Sequence, residues 1–200
     1  MKKYLCLLIT GVYLIFSSVI QADTYSKFVT TDYYSQNRKF FVQVTPDKKA
    51  ILFKDGKRIW TQPLPELPMK LLVTNDGKRV VMIENYYGNN RNPKKEVIIF
   101  FDENGIKLSS QTLESVADLK RVLHTISSSH WLKNYELNQI QNKIVVDTVI
   151  LTCPLIERVS NEEDLKKNDE CMKEKPNEKI VFSLDDGKIL SRSQIETAEK

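Results

Sequence analysis

Short apolar runs broken by polar turns recur along most of the chain, and their period is two. Phe40, Val42 and Val44 alternate with Phe41, Gln43 and Thr45, the pattern of a strand with one packed face and one face toward solvent. Two segments with strand chemistry, Ala50-Ile51-Leu52-Phe53 and Arg58-Ile59-Trp60-Thr61, flank Lys54-Asp55-Gly56-Lys57. Asp-Gly at that place is a direct hairpin signal, because the favoured two-residue turn needs positive φ at its central positions. A second hairpin is predicted from residues 70–74 through Asn75-Asp76-Gly77-Lys78 to residues 79–83. The returning run of that hairpin and Val97-Ile98-Ile99-Phe100-Phe101 are apolar on both faces, which predicts inner strands covered on two sides. Residues 143–151 form a long β-branched run, and residues 179–184 and 188–190 close around Asp185-Asp186-Gly187.

One stretch of the main body breaks this rhythm. Ser115-Val116-Ala117-Asp118 resembles a helix start, and Val116, Leu119, Val122 and Leu123 fall on one helical face, so the spacing predicts a short helix over residues 116–124. Ser127-Ser128-Ser129 ends it and Trp131 begins the next strand. The tail after Arg192 has few apolar residues and is expected to fray. Read together, the elements form a weak internal repeat: Thr45-Pro46-Asp47 with Asp55-Gly56, Thr74-Asn75-Asp76 with Asn104-Gly105, and Leu137-Asn138 with Asp186-Gly187. The fold class this implies is mainly β, built of antiparallel meanders in an incomplete β-propeller-like or two-sheet arrangement with one short helix. Three units are too few for a ring of the usual four to eight blades, which leaves an open propeller, packed sheets, or a ring completed by a partner. Any antiparallel meander also produces Asp-Gly turns at this spacing.

The run Val97-Ile98-Ile99-Phe100-Phe101-Asp102-Glu103-Asn104-Gly105, then Leu108, then His124-Thr125-Ile126-Ser127-Ser128-Ser129-His130-Trp131, resembles an uncharacterised family of exported bacterial proteins. That family has propeller-like β repeats and a serine-rich segment before a tryptophan. The resemblance spans residues 73–150, implies exported β-rich architecture and carries over no catalytic residue. The chain departs from it in a long insertion between its last two cysteines.

The N-terminus adds an address. Lys2 and Lys3 precede a run of about a dozen apolar residues, and Ser17-Ser18-Val19-Ile20-Gln21-Ala22 offers a cleavage site, so residues 1–22 read as a signal peptide and the mature chain is expected to begin at Asp23. Isoleucine three residues before the cut departs from the small-residue ideal, and an uncleaved anchor is the alternative. The expected domain organisation is this signal followed by a single β-rich domain over residues 23–200. Removal of Lys2 and Lys3 lowers the formal charge of +4 to about +2, too near balance for a nucleic-acid surface. A periplasmic or secreted protein with no stable membrane anchor after cleavage follows.

Export changes the reading of the cysteines. The mature chain keeps Cys153 and Cys171, and an even pair in an oxidising compartment is most simply one disulfide. It would clip an excursion over residues 153–171 and is worth on the order of 3 kcal/mol by the chain-entropy estimate. Within the excursion Ser160-Asn161-Glu162-Glu163 fits a capping box, and Glu162 with Lys166 and Glu163 with Lys167 have helix-supporting spacing.

Candidate chemistry is sparse. His124 and His130, six residues apart across the expected helix end, are the only histidines. No metal site and no cofactor are expected, and no serine elbow or phosphate-cradling glycine loop occurs. The nearest approach to a nucleophilic constellation is Ser127, Ser128 or Ser129 beside His130, with Asp118 as orienting group, which supplies the alternative of an exported hydrolase. A helix stop and strand entry explain the same serines. Recognition chemistry is richer: Tyr86, Tyr87, Asn89, Asn90 and Arg91 interrupt two apolar strands and combine rigid aromatic area with adaptable amides, the mixture of a binding loop. Tyr33, Tyr34 and Arg38 would extend that surface if the sheet ends meet. The expectation is a non-catalytic exported module that binds a protein or cell-envelope component, with no nucleic-acid partner.

Overall fold

The computed structural model describes residues 28–84, 92–119, 122–124, 129–151, 162–171 and 174–195. Three four-stranded antiparallel meanders follow one another along the chain. The first sheet contains β1 (Thr31–Tyr34), β2 (Phe40–Val44), β3 (Lys49–Lys54) and β4 (Lys57–Pro63). The second contains β5 (Lys70–Val73), β6 (Val80–Ile83), β7 (Glu96–Phe101) and β8 (Lys107–Thr112). A single helical turn, α1 (Leu113–Val116), and a two-stranded ribbon of β9 (Leu123–His124) and β10 (Ser129–His130) lead to the third. That sheet contains β11 (Leu132–Asn138), β12 (Lys143–Leu151), β13 (Glu174–Ser183) and β14 (Ile189–Gln194), with α2 (Glu162–Cys171) between β12 and β13. Every strand in a sheet pairs with its sequence neighbour, the propeller-like cadence that the turn spacing implies.

The sheets stack face to face, and two apolar layers hold them. Val42, Val44, Ala50 and Leu52 of the first sheet meet Leu71, Val73, Val80, Met82, Ile99 and Phe101 of the second. The opposite face of the second sheet, through Val81, Ile83, Ile98 and Phe100, meets Ile144, Val146, Ile180 and Phe182 of the third. The second sheet is therefore covered on both sides, which is what its uninterrupted apolar strands require.

The helix expected over residues 116–124 is not formed. Helical backbone ends at Val116, Ala117 is extended with φ −146° and ψ 150°, and Leu123 and His124 pair as a strand with His130 and Ser129. Val116 and Val122 are buried, and Leu119 packs on the same layer. The apolar spacing that mimics a helical face instead drops side chains from the end of α1 and the described residues after it into the space between two sheets, a case of tertiary packing overriding local pattern. Trp131, fully buried, lies between β10 and β11 and donates its indole N–H to the Glu84 carbonyl at 3.1 Å. In α2 the expected Glu163–Lys167 pair forms at 2.9 Å. The third sheet runs past Arg192, with Ile195 N–H donating to the Asn177 carbonyl at 2.9 Å.

The repeat is real, but one of its three units is offset. Gly56, Gly105 and Gly187 all lie in the third turn of their sheets. Asn75 and Asn138 lie at first turns, whereas Thr45-Pro46-Asp47 is the second turn of its sheet and residues 35–39 form the first. Local chemistry explains the confusion. The Thr45 hydroxyl donates to Asp47 at 2.5 Å and the Thr74 hydroxyl to Asp76 at 2.7 Å, so the same threonine-aspartate turn serves opposite ends of adjacent sheets.

Candidate functional site

Because neighbouring strands run in opposite directions, the first and third turns of each sheet emerge at one end and the second connections at the other. The first turns are tied in series. Asn37 N–H donates to Asn75 Oδ1 at 2.8 Å, Asn37 Nδ2 donates to the Asn75 carbonyl at 2.9 Å, and Asn75 N–H donates to Gln139 Oε1 at 2.5 Å. Between the second and third sheets this rim opens into a cleft of about 420 Å³.

Arg79 builds one wall of the cleft. Its Nε donates to the Leu184 carbonyl at 2.9 Å, Nη1 to the Lys78 carbonyl at 2.8 Å, and Nη2 to the Asp185 carbonyl at 3.4 Å, while Glu103 lies 3.4 Å from Nη1. The guanidinium is thus spent on stapling two turns together across the sheet boundary. Across the opening stand Gln139, Ile140 and Asn142 from the turn between β11 and β12. Asn142 adopts φ 54°, which asparagine tolerates better than most residues. Burial pushes the Asp76 carboxyl up, but the Lys78 N–H and the Thr74 hydroxyl outweigh it and hold the group below the ordinary range. Ile140 is wholly exposed at the lip. The arrangement offers an aliphatic contact, amide donors and acceptors, and both signs of charge.

Tyr86, Tyr87, Asn89, Asn90 and Arg91 lie outside the described residues. Their connection leaves from Glu84, which is 1% exposed and whose N–H donates to the Val97 carbonyl at 2.8 Å, and it returns before Lys95, which pairs with Glu66 at 3.2 Å. These anchors stand at the second-connection end. Tyr33, Tyr34 and Arg38 stand at the first-turn end. Tyr33 points inward: burial first, and then Tyr135, push its hydroxyl pKa up, and Lys70 Nζ lies 5.9 Å from its ring centroid. Tyr34 points outward and stacks on Phe41 at 5.1 Å, with the Arg38 guanidinium 6.0 Å from its ring centroid.

Ser127 and Ser128 also fall outside the described residues. The backbones of Ser129 and His130 are paired to His124 and Leu123 in the ribbon, and Asp118 is exposed on the preceding connection. Among the described residues no three His, Cys, Asp or Glu side chains gather as a metal site. Cys171 ends α2 and is 7% exposed, while Cys153 lies outside the described residues. Gln139 and Ile140 escaped the sequence reading, and Arg79 was read only as the start of a strand. The turn residues were visible, but their convergence joins positions about 64 residues apart, and no local signal carries that distance.

No protein-family model matches the sequence, and no curated protein is similar to it. Among solved structures the chain is similar to a eukaryotic initiation factor at 14% identity and TM-score 0.39, covering 90% of this chain and 47% of that one. It is similar to BamB from Moraxella catarrhalis at 13% identity and TM-score 0.39, covering 84% of this chain and 53% of that one. A third similarity is to the β-propeller domain of Cps50 (Swd1) from Myceliophteria thermophila, at 9% identity and TM-score 0.35, covering 86% of this chain and 75% of that one. The chain spans about half the length of the first two, at 47% and 53%.

Proposed function

We propose that the chain is an exported, non-catalytic β-rich module that binds a protein or cell-envelope component through the ends of its sheets. The observation that carries this reading is the rim cleft, where a wholly exposed isoleucine, Ile140, stands beside Gln139, Asn142, Asn75 and Lys78. An apolar anchor set among amides and mixed charge matches the anatomy of protein interfaces, in which a few large side chains carry the energy and polar neighbours fix orientation. Tyr86, Tyr87, Asn89, Asn90 and Arg91, in the connection between Glu84 and Lys95, supply further contacts. Export rests on the lysine-led apolar run of residues 1–22, and in an oxidising compartment Cys153 and Cys171 form a disulfide.

The test is cross-linking of the purified mature protein to envelope fractions, comparing wild type with Ile140→Glu. The reading predicts a discrete cross-linked species that the substitution removes while the circular dichroism spectrum stays unchanged. Identical products from both proteins would overturn it. N-terminal sequencing of the exported material is expected to begin at Asp23, and a chain retaining Met1 in membranes would overturn the cleaved-signal part.

A further inference from the structure

Consecutive sheets interlock by a device that occurs twice and leaves two halves unused. Trp60 and Gln62 follow Gly56 by four and six residues, Ser109 and Gln111 follow Gly105 by the same offsets, and Ser191 and Ser193 follow Gly187 likewise. Each fourth strand also carries a bulge three residues past its glycine, which leaves Ile59, Leu108 and Leu190 exposed. The three turn-and-strand units are thus equivalent in register.

In the two covered interfaces, the third turn of one sheet sits on the fourth strand of the sheet before it. A Cβ on Gly105 would lie 2.7 Å from Gln62 and 3.0 Å from Trp60, and Gln62 Nε2 donates to the Asn104 carbonyl at 3.2 Å. A Cβ on Gly187 would collide with Ser109 and lie 2.5 Å from Phe100, and Gln111 Nε2 donates to the Gly187 carbonyl at 3.0 Å. Gly56 has the same left-handed backbone, φ +77°, yet among the described residues a Cβ there would meet nothing within 4 Å. At the other end of the stack, Ser191 and Ser193 of β14 are exposed.

The sheet faces repeat the pattern. The pairs Val80–Phe101 and Ile144–Phe182 face the preceding sheet and are buried. Phe41–Phe53 is the equivalent pair of the first sheet, partly exposed, with the rings stacked at 4.7 Å and 8°. The pairs Val42–Leu52 and Val81–Phe100 face the following sheet and are buried. Their equivalent in the third sheet, Val145–Val181, is partly exposed. One end of the stack therefore presents the turn and aromatic pair that each sheet offers its predecessor. The other presents the strand and aliphatic pair that each sheet offers its successor.

We propose that a second copy of this chain packs head to tail on the first. The third-sheet face of one protomer, with β14, receives the Phe41–Phe53 face and Gly56 turn of its partner, and the contact is made twice around a two-fold axis. A head-to-tail contact gives a ring when its rotation closes and a filament when it does not. Propellers close with about four to eight sheets, and among multiples of three only the six supplied by two copies lies in that range. The Phe41–Phe53 face is then an interface between protomers, and the rim cleft of each remains open at the ring's end.

Sedimentation velocity on the purified protein, over a range of concentrations, tests this directly. The wild type is expected at twice the mass of the chain. Gly56→Asn keeps a residue that tolerates positive φ but fills the space a partner strand needs, and Ser191→Arg blocks the strand side. Each substitution alone should return the protein to monomer with its β-type circular dichroism intact. Should Gly56→Asn fail to fold, Phe53→Ser on the same face takes its place. A wild type that stays monomeric at every concentration would overturn the proposal, as would a dimer that survives either end's substitution, since a symmetric contact uses one surface and a head-to-tail contact needs both.

Discussion

The second sheet and the first share strand number, strand order and turn positions, yet their side chains differ throughout. β6 is buried at all four positions and β7 at five of six, whereas β2 alternates between buried and partly exposed residues and β3 does so between its exposed end lysines. Phe101 of the second sheet is 6% exposed, and Phe53, its equivalent in the first, is left partly open. The difference teaches that strand patterning records how many neighbours a sheet has, not how its strands are connected. Topology is set by turns and lengths, and hydrophobic period is set by coverage.

The sharpest way to break that comparison is to truncate one large side chain in each sheet. Phe100→Ala empties a site that is wholly buried between the second and third sheets, and such truncations cost about 3–5 kcal/mol. Phe53→Ala removes a ring buried on one side only, for about 1 kcal/mol in dilute protein. Urea denaturation curves for the two variants should differ accordingly. Equal losses would mean that the first sheet's outer face is covered as fully as the second's.

The turn glycines give the next largest contrast. Gly56 and Gly187 both hold positive φ, at +77° and +69°, so an alanine at either pays about 1–2 kcal/mol for left-handed backbone. At Gly187 the new methyl also strikes Ser109 and Phe100, adding about 1–3 kcal/mol of overpacking. Gly187→Ala should therefore lower the denaturation midpoint clearly more than Gly56→Ala. The reverse order would show that the third turn of the third sheet is not held against the second.

Much of this contrast is legible in the sequence. Alternation over residues 40–45, the continuous apolar runs at residues 80–83 and 97–101, and the acidic or asparagine residues before Gly56, Gly105 and Gly187 are local features, and they yield the strands, the doubly covered sheet and the third turns. What is not local is lost. Val116, Leu119 and Val122 have helical spacing, but the helix stops at Val116 and all three pack into one core layer on the way from one sheet to the next. Thr45 and Thr74 make the same turn chemistry at opposite ends, so the first repeat slips by one hairpin. The rim cleft needs Asn75, Gln139 and Leu184 side by side, and only the stacking of sheets supplies that. The aromatic loop that drew attention in the sequence leaves from the other end of the second sheet.

A smaller effect tests how that loop is anchored. Trp131 reaches from the third sheet's entry to the Glu84 carbonyl, the last described residue before the loop that carries Tyr86 and Tyr87. Trp131→Phe keeps an aromatic ring in the buried site but removes the indole donor and its hydrogen bond to the Glu84 carbonyl, at about 1 kcal/mol. Hydrogen exchange at Glu84 and Val97 should accelerate more than exchange in β2 and β3. Uniform acceleration would mean that the indole bond serves global stability and not this junction.

The smallest expected effect is a dependence on acid, and it separates the second sheet from the turns around it. Lys107 first, and then the Ser110 hydroxyl at 2.5 Å, hold the Glu96 carboxyl of β7 below the ordinary range. Lys188 first, and then its own backbone N–H, bring Asp186 down to about 2, while Lys49 and Thr45 lower Asp47. Each carboxyl is a stronger acid in the folded chain than in the unfolded one. Its contribution is therefore present at neutral pH and is lost as pH falls from the ordinary carboxylate range near about 4 toward about 2. Asp47 and Asp186 are open to solvent, so salt should screen most of their share, whereas the share of partly buried Glu96 should persist. Thermal midpoints measured from pH 5 down to pH 2, at low and at high salt, should fall with acid in both series and fall less in the second. Glu96→Gln should remove a clear part of the slope that survives salt, the remainder belonging to Asp76, which, against burial, the Lys78 N–H and the Thr74 hydroxyl also hold down; an unchanged slope in that variant would place the acid sensitivity in the turns instead of the covered sheet.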